Sequence, residues 1–117
     1  MSDLNTFFNL ASDETRLRLI ILLSQEELCV CQLCGILNLS QPKVSKHLAK
    51  LRAAEYVKTK QKGKFIFYSL NIKNTIITNM IKDIFLHLKE YPSLKEDNNR
   101  LAIKDTFLTM CTCNTNF

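Results

Sequence analysis

Apolar positions follow helical spacing along most of the chain and switch to strand-like alternation once. Residues 3–11 (DLNTFFNLA) carry Leu4, Phe7, Phe8 and Leu10, which predicts a short helix that needs a cover. Ser12, followed by Asp13 and Glu14, reads as the cap of a second helix, with carboxylates in the first turn where the dipole favours them. Its body, Arg16 to Leu23, is apolar on nearly every side, the mark of deep burial. After the polar break Gln25-Glu26-Glu27, the stretch Leu28 to Leu37 places Leu33, Ile36 and Leu37 at helical spacing. Asn38-Leu39-Ser40 separates it from another helix, capped by Ser40 with Pro42 in the first turn and running to about Ala54. Val44, Leu48 and Leu51 form its buried stripe.

Two short helices joined by so tight a turn make a helix-turn-helix. Tyr56 to Gln61 and Lys64 to Leu70 are rich in β-branched and aromatic residues, and Gly63 lies in a short Lys-rich tip between them, which predicts a hairpin. A basic hairpin directly after a helix-turn-helix is the order of a winged helix. From Lys73 to about Glu90, Ile76, Ile77, Met80, Ile81, Ile84, Phe85 and Leu88 recur along one broad face of a long helix. The chain already has helices enough for one core, so this face predicts a dimer seam, which is compatible with partial packing on its own domain. Tyr91-Pro92 ends the helix, and Leu94 to Met110 has room for one more. The expected architecture is mainly α with a small β-hairpin: a winged helix-turn-helix, homodimeric through its terminal helices. It forms a single domain over residues 1–117, with a tail of about 106–117 left room to be flexible.

Length and composition fit that picture. A chain of 117 residues with 46% apolar and 23% charged side chains suits one globular domain and is too short for two. Met1 to Leu10 has no apolar leader and no apolar run approaches about 18 residues, so a cytoplasmic protein without a membrane partner is expected.

Charge changes the picture by its location. The chain carries a net +5, yet from Gln41 to Lys64 eight Lys and Arg residues face Glu55 alone, so the rest is slightly acidic. A surplus confined to one helix and one hairpin marks a face for a polyanion, here double-stranded DNA. Gln41, Lys43, Ser45, Lys46 and Lys50 fit the outward side of a recognition helix, with Gln41 suited to adenine and the lysines to guanine acceptors or phosphates. His47 lies about 60° from the Val44 stripe, which suits packing or a phosphate contact as well as base readout. Lys60, Lys62 and Lys64 in the hairpin are flexible charges suited to phosphates.

Five cysteines fall at Cys29, Cys31, Cys34, Cys111 and Cys113. In a cytosolic chain thiols stay reduced, so a cluster within six residues points to a soft ion more than to a disulfide framework. The spacing C-x-C-x2-C leaves a closed tetrahedral zinc site one ligand short, whereas three thiolates match a three-coordinate thiophile: trivalent arsenic or antimony, or lead or bismuth. On a regular helix Cys31 and Cys34 lie about 60° apart but Cys29 and Cys31 about 160° apart, so convergence of all three would distort the first turn. Redox chemistry at Cys31-x-x-Cys34 wants a βαβ context that is absent. A thiol enzyme would want a Gly-rich phosphate loop, a Cys-x5-Arg pocket or a general base near the thiols; none is present and no organic cofactor is implied.

The segment Glu27-Leu-Cys-Val-Cys-Gln-Leu-Cys34, followed by Leu39-Ser-Gln-Pro-Lys-Val-Ser-Lys-His-Leu-Ala-Lys-Leu-Arg52, resembles the ArsR/SmtB family of metal-responsive repressors, in its arsenical-resistance branch. The likeness covers roughly residues 10–90, including Asp13-Glu-Thr-Arg-Leu-Arg18; Gln32 stands where the signature usually has Asp. The resemblance implies a homodimeric repressor on an inverted-repeat operator, released when As(III) or Sb(III) binds Cys29, Cys31 and Cys34, with the Ser40 to Lys50 helix as DNA reader. Zinc-sensing relatives use an Asp-x-His and His-x2-Glu/His pattern on the long helix; His87 and Glu90 match its second half, but Asn74 and Ile76 stand at the first, and isoleucine cannot bind zinc. A repressor of the same family sensing zinc, cadmium or thiol oxidation is the alternative. Cys111 and Cys113 lie outside the matched region and stand as accessory ligands or an inert tail.

Overall fold

The computed structural model describes residues 3–109. In chain order its elements are helices α1 (Asp3–Ala11) and α2 (Glu14–Leu23), strand β1 (Leu28–Cys29), helices α3 (Val30–Leu37) and α4 (Gln41–Ala53), strands β2 (Val57–Lys62) and β3 (Phe65–Leu70), and helix α5 (Thr75–Leu86). A 3-10 turn (Leu88–Glu90), helix α6 (Pro92–Leu101) and the short helix α7 (Thr106–Thr109) follow.

The apolar helix α2 is central, with Leu19 and Ile20 fully buried against Leu28, Leu33, Ile36, Val44, Leu51 and Ile77. Its cap is Asp13 and not Ser12: the Asp13 carboxylate accepts the Arg16 N–H (3.1 Å), while the Ser12 hydroxyl turns back to the Asn9 carbonyl. Between α3 and α4, Asn38 takes the left-handed conformation (φ 58°), and both its N–H and that of Leu39 reach the Cys34 carbonyl. Asparagine tolerates that conformation better than most residues, which is how three residues suffice for the turn.

The sheet is antiparallel in the order β1-β3-β2. Pairing of Lys62 with Phe65 leaves a two-residue tip, Gly63-Lys64, one position later than the Lys62-Gly63 gap expected from the sequence. Gly63 has φ +62°, a conformation that glycine adopts without steric cost.

Helix α5 stops well before Glu90. The His87 ring Nδ1 hydrogen-bonds the Asp83 carbonyl (2.8 Å), the acceptor its own N–H would use in a continuing helix, and that N–H turns to Ile84 instead. The broad apolar face divides: Ile77, Ile81 and Leu88 are buried in the chain's own core, while Ile76, Phe85 and Leu86 stay exposed, as does Phe8 on α1. Helix α6 returns to α2 through Arg18, which holds the buried Asp97 by two contacts of 2.8 Å and also donates to the Leu37 carbonyl. Of the tail expected to have room for flexibility, Thr106–Thr109 is helical and packs on α3; Met110 to Phe117, with Cys111 and Cys113, lies outside the described residues. Among the described residues no helix is long and apolar enough to cross a membrane.

Candidate functional site

The thiols begin at a junction. Cys29 is not on a helix: it is the second residue of β1, opposite Phe67 of β3, and the N-cap of α3 with extended backbone (φ −90°, ψ 169°). The helical angle predicted between Cys29 and Cys31 therefore does not apply. A capping box closes the junction: the Cys29 N–H donates to Gln32 Oε1 (3.1 Å), and the Cys29 sulfur faces the Gln32 backbone N–H. Cys31 is buried in the first turn of α3, and Cys34, half-buried, lies one turn on with its carbonyl under the helix-helix turn. Cys31 is disulfide-bonded, which departs from the reduced state expected for that sulfur. Among the described residues no three His, Cys, Asp or Glu side chains are gathered as a metal-holding group.

Gln32, read from the sequence only as a departure from a signature, is fully enclosed, and its Nε2 donates to Asp105 Oδ1 (3.2 Å) ahead of α7. Its second partner lies 73 residues away, beyond any local pattern.

Helix α4 packs on α2 and α3 through Val44, Leu48 and Leu51, which leaves Lys43, Lys46 and Lys50 exposed on the outer side. Gln41 and Ser45 are half-buried and hydrogen-bonded to each other (2.7 Å), so the amide is oriented before any partner arrives. His47 leaves the outward set: it is 6% exposed, with Nδ1 3.3 Å from the Arg16 guanidinium and 3.9 Å from the Asp13 carboxylate. Burial lowers its pKa, a shift only partly opposed by Asp13. On the hairpin, Lys60 and Lys64 are exposed, and Lys64 sits over the Phe65 ring. Lys62 is not a loose charge, since it pairs with Glu27 and lies over Phe67. His87 and Glu90 are exposed beyond the end of α5, and the His87 ring is occupied by Asp83.

Residues 13–59, from the cap of α2 to the middle of β2, match the model of the family described as bacterial regulatory protein, arsR family. The arsenical resistance operon repressor of Escherichia coli K12 is 48% identical over 65 residues, 55% of this chain and 56% of that protein. The chain thus spans little more than half the length of such curated relatives. A cadmium resistance regulatory protein CadC homolog of Staphylococcus aureus is 33% identical over 93 residues, 79% of this chain and 75% of its own. Among solved structures, HlyU of Vibrio cholerae superposes with a TM-score of 0.62 at 32% identity, over 78% of this chain and 98% of that one.

Proposed function

The chain belongs to the arsR family of bacterial regulatory proteins, and from that premise we propose that it is a metalloid-responsive transcriptional repressor. As a homodimer it binds an inverted-repeat operator through α4 and the β2–β3 wing, and As(III) or Sb(III) at Cys29, Cys31 and Cys34 releases it. Lys43, Lys46 and Lys50, with Lys60 and Lys64, supply phosphate and base-edge contacts, and Gln41 and Ser45 present an ordered amide and hydroxyl. The exposed Phe8, Ile76, Phe85 and Leu86 offer a second copy an apolar face. Its site of action is the cytoplasm, where the operator lies.

One observation carries the reading: Cys29 is at once the cap of the first helix of the helix-turn-helix and the strand partner of the wing. Soft thiolates suit a thiophilic trivalent ion, which would supply a reason for the three sulfurs to converge. Drawing Cys29 toward Cys31 and Cys34 takes its sulfur from the Gln32 N–H and moves β1 against β3, while Cys34 bears on the turn into α4. Both DNA-contacting elements are then displaced by one event.

Titration of the operator-bound, reduced protein with arsenite, antimonite, zinc, cadmium and peroxide in parallel tests this. Arsenite or antimonite should release the duplex, and Cys31→Ser or Cys34→Ser should keep DNA binding and lose the response. Release of those variants at wild-type arsenite concentrations would sink the assignment. The disulfide at Cys31 favours a second reading, a repressor released by thiol oxidation, for which peroxide and not arsenite would be the effective arm.

A further inference from the structure

Resting on that reading, we infer that Gln32 ties the thiol site to a C-terminal strap, residues 100–108, so that a thiophile drawing Cys29 toward Cys31 and Cys34 also loosens the strap from α3. The strap is fastened at named points. Arg100 donates to the Ile36 carbonyl (3.0 Å), Lys104 pairs with Glu26 just ahead of β1, and Asp105 accepts from Gln32 (3.2 Å). Phe107 lies on Gly35 so closely that a Cβ there would overlap its ring. Gln32 and Gly35, three positions apart, share one face of α3, so Asp105 and Phe107 are laid along the same strip of helix.

Gln32 also holds the thiol site. Its Oε1 accepts the Cys29 N–H (3.1 Å) while its Nε2 donates to Asp105, an orientation the partners dictate, since an N–H needs an acceptor and a carboxylate needs a donor. A carboxylate at this position would cap Cys29 equally well but would have no hydrogen for Asp105. With 2% of its surface exposed, the amide cannot turn to water when one partner leaves. If Cys29 moves as proposed, an acceptor is stranded in the interior. The amide lowers that cost by following Cys29 or by turning over, and either movement gives up Asp105. Within the strap, the N–H groups of Ile103, Lys104, Thr106, Phe107 and Leu108 reach carbonyls only three residues back, at 3.0–3.2 Å, so it opens more readily than the core helices.

The test is amide hydrogen exchange of the reduced full-length chain, with and without one equivalent of arsenite, read by peptide mass spectrometry. Protection of Cys29, Cys31 and Cys34 from iodoacetamide records separately whether arsenite is bound. Arsenite should speed exchange of residues 102–108 about fivefold, the factor expected from one lost hydrogen bond, and leave α2 unchanged. Asp105→Ala, which spares the Cys29 cap, should exchange that fast without arsenite and gain nothing from it. Gln32→Glu with Asp105→Asn keeps an acceptor for Cys29 and reverses the donor toward the strap, so slow exchange and the arsenite response should both return; a side chain that only fills space would give no such recovery. Strap exchange indifferent to arsenite while the thiols are protected would overturn this inference and leave the proposed function standing, as would Asp105→Ala exchanging at the wild-type rate. Acceleration shared equally by α2 would assign the effect to general loosening and overturn it as well. Protection of no thiol would remove the metalloid reading itself, and the inferred trigger with it.

Discussion

Arg18 grips Asp97 through both guanidinium edges, each contact 2.8 Å, and thereby joins α2 to α6 across 79 residues of sequence. The carboxylate is enclosed and the guanidinium nearly so, with side-chain exposures of 2% and 15%. Hydrogen bonding to Asp97 raises the Arg18 pKa further. Removing one partner strands the other, the costly way to break such a pair. Asp97→Ala should lower unfolding free energy by about 3 kcal/mol in urea denaturation, and a loss below about 1 kcal/mol would mean that Arg18 finds water instead.

Gln32 and Asp105 give a second test. Gln32→Asp restores the signature residue but sets one carboxylate against another and removes the donor, so the thermal midpoint should fall by the equivalent of about 1–2 kcal/mol. Adding Asp105→Asn should recover much of it. A double variant no better than the single one would show that the contact is not what holds the segment.

The helix and wing proposed to meet DNA were legible because their signals are local. Val44, Leu48 and Leu51 recur at helical spacing, and the Lys-rich hairpin alternates around one glycine. What escaped depends on distant partners. Cys29 is a strand residue only because Phe67 lies opposite, and α3 starts one residue later for that reason. Lys62 counts as a wing charge until Glu27, 35 residues earlier, is seen to hold it. His47 turns inward toward Arg16, and its sequence position near the edge of the stripe could not settle which way.

Acid should reveal that inward histidine. Because burial holds the folded His47 pKa below the ordinary value of about 6.5, the unfolded chain binds the proton first as pH falls, and protonation favours unfolding. Stability contributed by neutral His47 is therefore complete above about pH 6.5 and declines below it. Asp13, with its pKa lowered by the Arg16 N–H, matters only in the carboxylate range, and the exposed His87, raised by Asp83, acts in the opposite direction. Urea titrations from pH 7 to 5 should show declining stability, flattened by His47→Gln; an unaltered slope in the variant would assign the decline to other groups.

The proposed DNA face predicts a graded series. Lys43→Ala with Lys46→Ala removes four lysines from the proposed dimer, so operator binding should weaken and the salt slope should fall by about 3.6 if all four contact phosphate. Lys60→Ala or Lys64→Ala, each counted twice in the dimer, should take about 1.8 from the slope, and Lys62→Ala less, since Glu27 already neutralises it. Filter-binding isotherms over a salt series measure all of these, and a Lys62 effect as large as that of Lys60 would show that the Glu27 pair opens on DNA.

A strand of two residues, such as β1, is a small piece of sheet to surrender. If Cys29 leaves β3 as proposed, one short ladder and one cap are lost, while the β2–β3 pairing and the packed helices remain as a template for return. On the proposed reading, the released repressor keeps its fold and can regain its operator once the thiophile is withdrawn. The end of a detoxification response is then timed by ligand departure, with no wait for new protein synthesis.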